Sequence, residues 1–215
     1  MKKRFLGTVL AAALVVSSAI SVFALGSKTA APTVAGESAG KYEVTTSTED
    51  KDEKEVFVLL LGGTEGKVDA ETAEKVVDQI AELNKGEAKL SDTILEKIAE
   101  TAPDMTEEQI EELKTALEGK ELVTKFFNLV PIDGGVKDAD GKYVVTLSIA
   151  ELGEELKDKD VKVLHYSTER VLWEVIDPEE VNFETKEITA KFEDLSPVAF
   201  IADEAEEEKT EEAAK

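Results

Sequence analysis

The sequence predicts an α+β chain: a short three-helix region followed by an antiparallel, Ig-like β-sandwich. Two observations carry that expectation. Between residues 69 and 119 apolar side chains recur at the 3.6 spacing of helices, with legible start and stop signals. From Leu122 the spacing switches to two, in about seven short segments separated by turn residues, which is the strand count of a small sandwich.

The first element is a leader. Lys2, Lys3 and Arg4 precede an uncharged apolar run, Phe5 to Ile20. Val22 and Ala24 hold the small-residue places of a cleavage site. This is the pattern of a secretory signal peptide, residues 1–24, cut after Ala24. About 20 apolar residues could also anchor in a bilayer. Ser17, Ser18 and Ser21 make the end of the run polar and favour cleavage. No second apolar run has comparable length, so no membrane span is expected once the leader is gone.

Residues 25–55 read as a flexible acidic linker. The first part is rich in Ala, Ser, Thr and Gly, and Glu49 to Glu55 is a dense charge run. Region 56–119 follows. Val56 to Leu61 (VFVLLL), closed by Gly62 and Gly63, has the length and content of a short buried strand. The first helix opens at Asp69 and stops at Gly86, with Ala73, Val76, Val77, Ile80 and Leu83 on one stripe. The second opens at Ser91, carries Ile94, Leu95, Ile98 and Ala99, and is stopped by Pro103. The third opens on Thr106, with Gln109 placed for a capping box and Met105 and Ile110 for a hydrophobic staple. Glu107 and Glu108 suit the positive end of its dipole, and Gly119 ends it. Such short helices bury one face each, so their stripes must meet one another or the β region.

The β region spans 120–202. Leu122 to Val130 is apolar and β-rich, and Tyr143, Val145, Leu147 and Ile149 alternate with polar neighbours. Val161 to Tyr166 and Val171 to Ile176 are joined by a hairpin loop at Ser167 to Arg170. Val181 to Phe183, then Ile188, Ala190 and Phe192, and finally Pro197 to Ala202 complete the set. Residues 203–215 read as an acidic tail.

Composition limits function. The 215 residues hold 48 acids and 25 bases, a net charge of −23. Loss of the leader removes three positive charges and leaves −26. That charge repels nucleic acid and anionic surfaces, and attracts basic partners or, weakly and diffusely, divalent cations. There are no cysteines, which excludes disulfides, zinc–thiolate sites and cysteine nucleophiles. No phosphate-binding glycine loop is present, and no cofactor is expected.

The strings KVLHYSTERVLWEV and ITAKFEDLSPVAFIA resemble the C-terminal module of functionally uncharacterised secreted or surface proteins of Gram-positive gut bacteria. Those modules share a "VLHY" strand, a Trp-Glu strand and a closing "LSPVAF" strand. The resemblance covers roughly Leu122 to Ala202 and implies location and fold, not chemistry. Members often continue into a wall-sorting signal or a terminal membrane helix. This chain ends at Lys215 with neither, so release or non-covalent association with the envelope is expected.

Three candidate sites follow from residue type. His165 is the only histidine, and a catalytic histidine needs a nucleophile and an orienting group that spacing does not identify. It shares strand parity with Val161 and Val163, which points to packing. Trp173, Tyr166 and Tyr143 could stack on a sugar, but sandwich aromatics are more often core, and Trp173 is expected there. Trp173, Tyr166 and His165 are thus the candidate ligand-binding residues. Asp133, Asp138 and Asp140 are the candidate metal ligands. Aligning Gly141 with the glycine of a calcium loop puts Val136 and Leu147 where acids are required, so the EF-hand reading fails and a turn is expected. The function expected is that of a secreted, non-catalytic binding or structural module for an extracellular protein or glycan. The alternative is a small extracellular hydrolase of glycan or peptide.

Overall fold

A computed structural model describes residues 31–46, 57–61, 68–86 and 89–204. The cleavage site at Ala24 lies outside them. Among the described residues ten strands form two antiparallel sheets. The first sheet has the order β1 (Thr33–Val34), β5 (Tyr143–Ser148), β9 (Glu187–Phe192), β8 (Glu180–Asn182). The second has the order β2 (Tyr42–Thr46), β4 (Phe127–Pro131), β10 (Val198–Asp203), β6 (Lys162–Ser167), β7 (Leu172–Ile176), with β3 (Lys120–Leu122) also on β10.

The inner faces of the sheets share one core. Val145, Leu147, Ile188 and Ala190 of the first sheet meet Phe127, Leu129, Val163 and Phe200 of the second. Phe127 and Phe200 stack with centroids 6.0 Å apart. This is a β-sandwich arrangement. The outer face of the second sheet is apolar too: Leu164, Tyr166, Trp173, Ala199 and Ile201 form a separate core with the helices. The second sheet is therefore buried on both sides. That explains why VLHY and VAFIA read as unbroken buried runs, whereas β9, with one covered face, alternates buried and half-buried.

The helices are α1 (57–61), α2 (Ala70–Lys85), α3 (Leu90–Glu96), α4 (Ile98–Thr101) and α5 (Glu107–Leu117). The capping signals of α2 and α5 act as expected, whereas α3 opens on Lys89 without a side-chain cap and Ser91 lies inside it. Asp69 accepts from the Thr72 amide at 2.8 Å, and Gly86 takes a left-handed φ of 69°. Both halves of the Thr106–Gln109 capping box are formed. The helical stripes face the sheet and one another, as their amphipathicity requires.

Several expectations are corrected. Residues 57–61 are helical, not a strand: Phe57 and Leu61 are buried while Leu59 is 73% exposed, an i, i+4 pattern. A short apolar run fits both periods, and packing selects the helix. The second helix is broken at Lys97. Gln79 of α2 donates from Nε2 to the carbonyls of Thr93 (2.9 Å) and Ile94 (3.2 Å), which an unbroken helix would give to Lys97 and Ile98. The stretch Leu122 to Val130 is two strands, β3 and β4. Asp203 belongs to β10, and Glu204 still donates its amide to Gly119 O at 2.8 Å. Residues 31–46 are not linker: β1 pairs with β5 and β2 with β4 along its whole length. Their Thr- and Gly-rich composition concealed two short strands whose partners lie about 100 residues away.

Tyr42 fastens β2 to the first sheet. Its hydroxyl accepts from the Val136 amide at 2.8 Å and lies 2.7 Å from Val136 O and 3.1 Å from Val144 O. The backbone passes so close that a Cβ on Gly135 would lie 2.8 Å from the Tyr42 ring, and Gly135 itself has a φ of +68°. Gly135→Ala is expected to cost about 2–3 kcal/mol by combining left-handed strain with overpacking. Urea denaturation checks this, with Gly134→Ala as the comparison, because nothing lies within 4 Å of a Cβ there.

Candidate functional site: a serine–histidine–carboxylate network

The polar residues inside the apolar strands come together. β6 carries Val163 and His165 on its inner face and Leu164 and Tyr166 on its outer face. Opposite His165 on β7 is Glu174, and opposite it on β10 is Val198, two residues after Ser196. His165 Nδ1 lies 2.8 Å from Glu174 Oε1, and His165 Nε2 lies 2.8 Å from Ser196 Oγ. Nucleophile, imidazole and carboxylate thus stand in the relay order of a hydrolytic triad. The three quoted strands "VLHY", Trp-Glu and "LSPVAF" supply one member each.

Asp194 completes the cluster. Its Oδ1 accepts from Ser167 Oγ at 2.8 Å, and Oδ2 from the Thr168 amide at 2.7 Å, Thr168 Oγ1 at 2.9 Å and the Glu169 amide at 3.3 Å. Ser196 Oγ lies 3.1 Å from the same Oδ2. Arg170 bonds Glu174 and approaches Glu193 Oε2 at 3.6 Å. The Asp194 carboxylate therefore anchors Ser167, Thr168 and Glu169 of the β6–β7 loop, in which Val171 holds a left-handed φ of 54° that a β-branched residue adopts only when its surroundings enforce it.

The imidazole and the serine are enclosed, while the Glu174 side chain stays 22% exposed. His165 is 0% exposed and Ser196 4% exposed, with the Phe192 ring 5.5 Å from the imidazole. The Ser196 hydroxyl lies 2.6 Å from Tyr166 O, a group that only accepts. A serine has one proton, and that contact takes it. Ser196 Oγ and Glu174 Oε1 then each face one ring nitrogen of His165, so both nitrogens are engaged inside the protein.

Burial pushes the carboxyls of Glu174 and Asp194 upward. For Glu174 the His165 hydrogen bond and the charges of His165 and Arg170 outweigh burial. For Asp194 the His165 charge and the Ser167 and Thr168 hydrogen bonds do so. Both end below the ordinary carboxylate range. A carboxyl with a depressed folded pKa stabilises the fold above its unfolded pKa and loses that contribution as pH falls through the folded value. The overall −23 has the opposite sign, since acid relieves its self-repulsion. At 0.15 M salt that repulsion is screened over about 8 Å, so the buried contacts dominate. The melting midpoint should be level from pH 8 to about 5 and fall below about pH 4. A midpoint rising steadily to pH 3 would show that diffuse repulsion controls stability.

Of the aromatic residues considered for ligand stacking, Trp173 and Tyr166 are buried, in accord with the core expectation for Trp173, and Tyr143 is half-buried. Trp173 is 1% exposed and Tyr166 0%. Trp173 also lies in the helix–sheet core, not between the two sheets. The Tyr166 hydroxyl donates to Thr101 O at 2.7 Å, and burial pushes its pKa up. The candidate metal ligands do not converge. Asp138 Oδ1 accepts from the Asp140 and Lys142 amides, both at 3.0 Å, so its carboxylate is occupied in shaping the turn. Among the described residues no three His, Asp or Glu side chains are placed to hold a metal ion.

Sequence reasoning missed Ser196, Asp194 and Glu174 as partners of His165. The available signal was one polar letter at an inward position in each of three apolar strands. Comparison with protein-family models, curated proteins and solved structures gives no match.

Proposed function

We propose that this chain is a secreted or envelope-associated, non-catalytic binding module built on an Ig-like sandwich. The observation that carries the non-catalytic half is the burial of Ser196 and His165, together with the commitment of their hydrogen bonds to Tyr166 O and two carboxylates. A nucleophile must be reachable, and this one is enclosed. The Ig-like reading is supported by interlocked pairs: β5 joins β9 in one sheet while β6 joins β10 in the other, so the β5–β6 and β9–β10 connections both cross the sandwich. Export is supported by the basic start, the apolar run and Val22/Ala24. The resemblance of Leu122 to Ala202 to surface-protein modules is in accord with it.

A hydrolase is the second reading, because two contacts of 2.8 Å set Ser196, His165 and Glu174 in relay order. Fractionation of a producing Gram-positive host tests the proposal. The mature chain should begin at Leu25, in the medium or bound to the envelope and released by salt. Intact Met1 in the cytoplasm would overturn it.

A further inference from the structure

The cavity between α5 and β7 measures about 330 Å³. Four consecutive residues of β7, Leu172 to Val175, line it. One face of a strand presents only alternate side chains, so four in a row means that the strand's edge borders the space. Among the described residues β7 ends its sheet.

The unpaired backbone groups on that edge can be assigned. The Tyr166 amide donates to Pro197 O, so Tyr166 and Leu164 direct their backbone groups toward β10. His165 and Ser167 then face β7, and pair there with Glu174 and Leu172. The remaining residues, Trp173 and Val175, direct N–H and C=O outward. Edge strands are ordinarily protected by charged side chains, Pro, a bulge or a covering element; LWEVI has no Lys or Pro, and its one charge, Glu174, is held by His165 and Arg170. The opposite wall is α5, with Ala116 and Glu112 on the cavity and Glu107, Glu108 and Glu111 on the same helix against one lysine, Lys114; Arg170 also lines the cavity, but its charge is taken up by Glu174.

We infer that this edge is a docking site for an extended, basic segment of a partner protein, which adds a strand to β7 beneath α5. The inference deepens the binding-module reading and rests on it. Main-chain bonds to Trp173 and Val175 supply the pairing. Alternate apolar side chains of the segment enter between Val175 and Ala116. Its basic side chains meet Glu112 and the acidic face of α5. A second copy of this chain is a poor occupant, since each copy carries −23.

Trp173 is the only tryptophan and lies on the cavity, so its emission reports occupancy. The probe is a capped eight-residue peptide alternating lysine and valine, titrated at 0.15 M salt. A saturable emission change is expected, at least tenfold tighter than for the same peptide with glutamate in place of lysine. Methylating alternate backbone nitrogens of the probe keeps its charge and should abolish binding in one of the two registers. Val175→Pro removes an outward N–H without touching the β6 ladder and should weaken binding at least tenfold. Glu112→Lys, at an exposed helix position, should weaken it without altering the far-UV spectrum. No saturable change up to millimolar peptide, or equal affinity for both methylated registers, would overturn the inference. Such a failure leaves the location of the protein and its inertness toward substrates as separate results, so it is distinguishable from failure of the module reading.

Discussion

Trp173→Ala is expected to destabilise the protein by about 3–5 kcal/mol, among the largest effects of any single truncation. The indole is 1% exposed and joins the two layers of the helix–sheet core. Its ring meets Tyr166 edge-on at 5.0 Å and Phe126 at 5.7 Å. Its N–H lies 3.2 Å from Gln79 Oε1 and 3.4 Å from Thr101 Oγ1. Gln79 is the residue whose amide breaks the α3–α4 helix, so the indole also holds the group that sets that break. Trp173→Phe keeps most of the ring contact and loses the N–H bonds, and should cost about 1–2 kcal/mol. Guanidinium denaturation measures both. An unchanged midpoint for Trp173→Ala would show that the indole is not part of the core.

Asp194→Ala should cost about as much, 3–5 kcal/mol, for a different reason. The change removes little apolar volume. It leaves the Ser167 hydroxyl, the Thr168 hydroxyl and the Thr168 amide without an acceptor, at a site where Asp194 is 6% exposed. It also leaves the His165 side of the cluster with one carboxylate instead of two. Asp194→Asn keeps an acceptor for Ser167 but turns a donor toward Thr168, and should cost about 2 kcal/mol. The acid limb of the melting profile should flatten in both variants. Retention of wild-type stability by Asp194→Ala would mean that the loop is held by other contacts.

Much of the fold is local enough to be read from the chain. Asp69, Thr106 and Gly86 act within their own helices, so their signals survive translation into structure. The alternation of Tyr143 to Ile149 and of Ile188 to Phe192 likewise reports a sheet with one covered face. What was not legible depends on distant partners. The break at Lys97 is imposed by Gln79 from another helix. Tyr42 and Val44 carry the period of a strand, but five residues are too few to distinguish from linker without β4 beside them. His165 was legible as an inward-facing residue, but its partners are set by sheet register, 9 and 31 residues away. The groove beside β7 was invisible for the same reason, since an edge exists only once the strand order is known.

Ser196, His165, Glu174 and Asp194 are expected to hold the fold and to do no chemistry. Intact-mass analysis of the folded protein after exposure to a fluorophosphonate probe at neutral pH tests it most directly, because that reagent reacts with serines activated by a histidine base. The expected result is an unmodified mass, together with a lowered denaturation midpoint for Ser196→Ala. A single adduct on Ser196, formed by the native protein and lost in His165→Asn, would contradict it and establish the hydrolase reading instead.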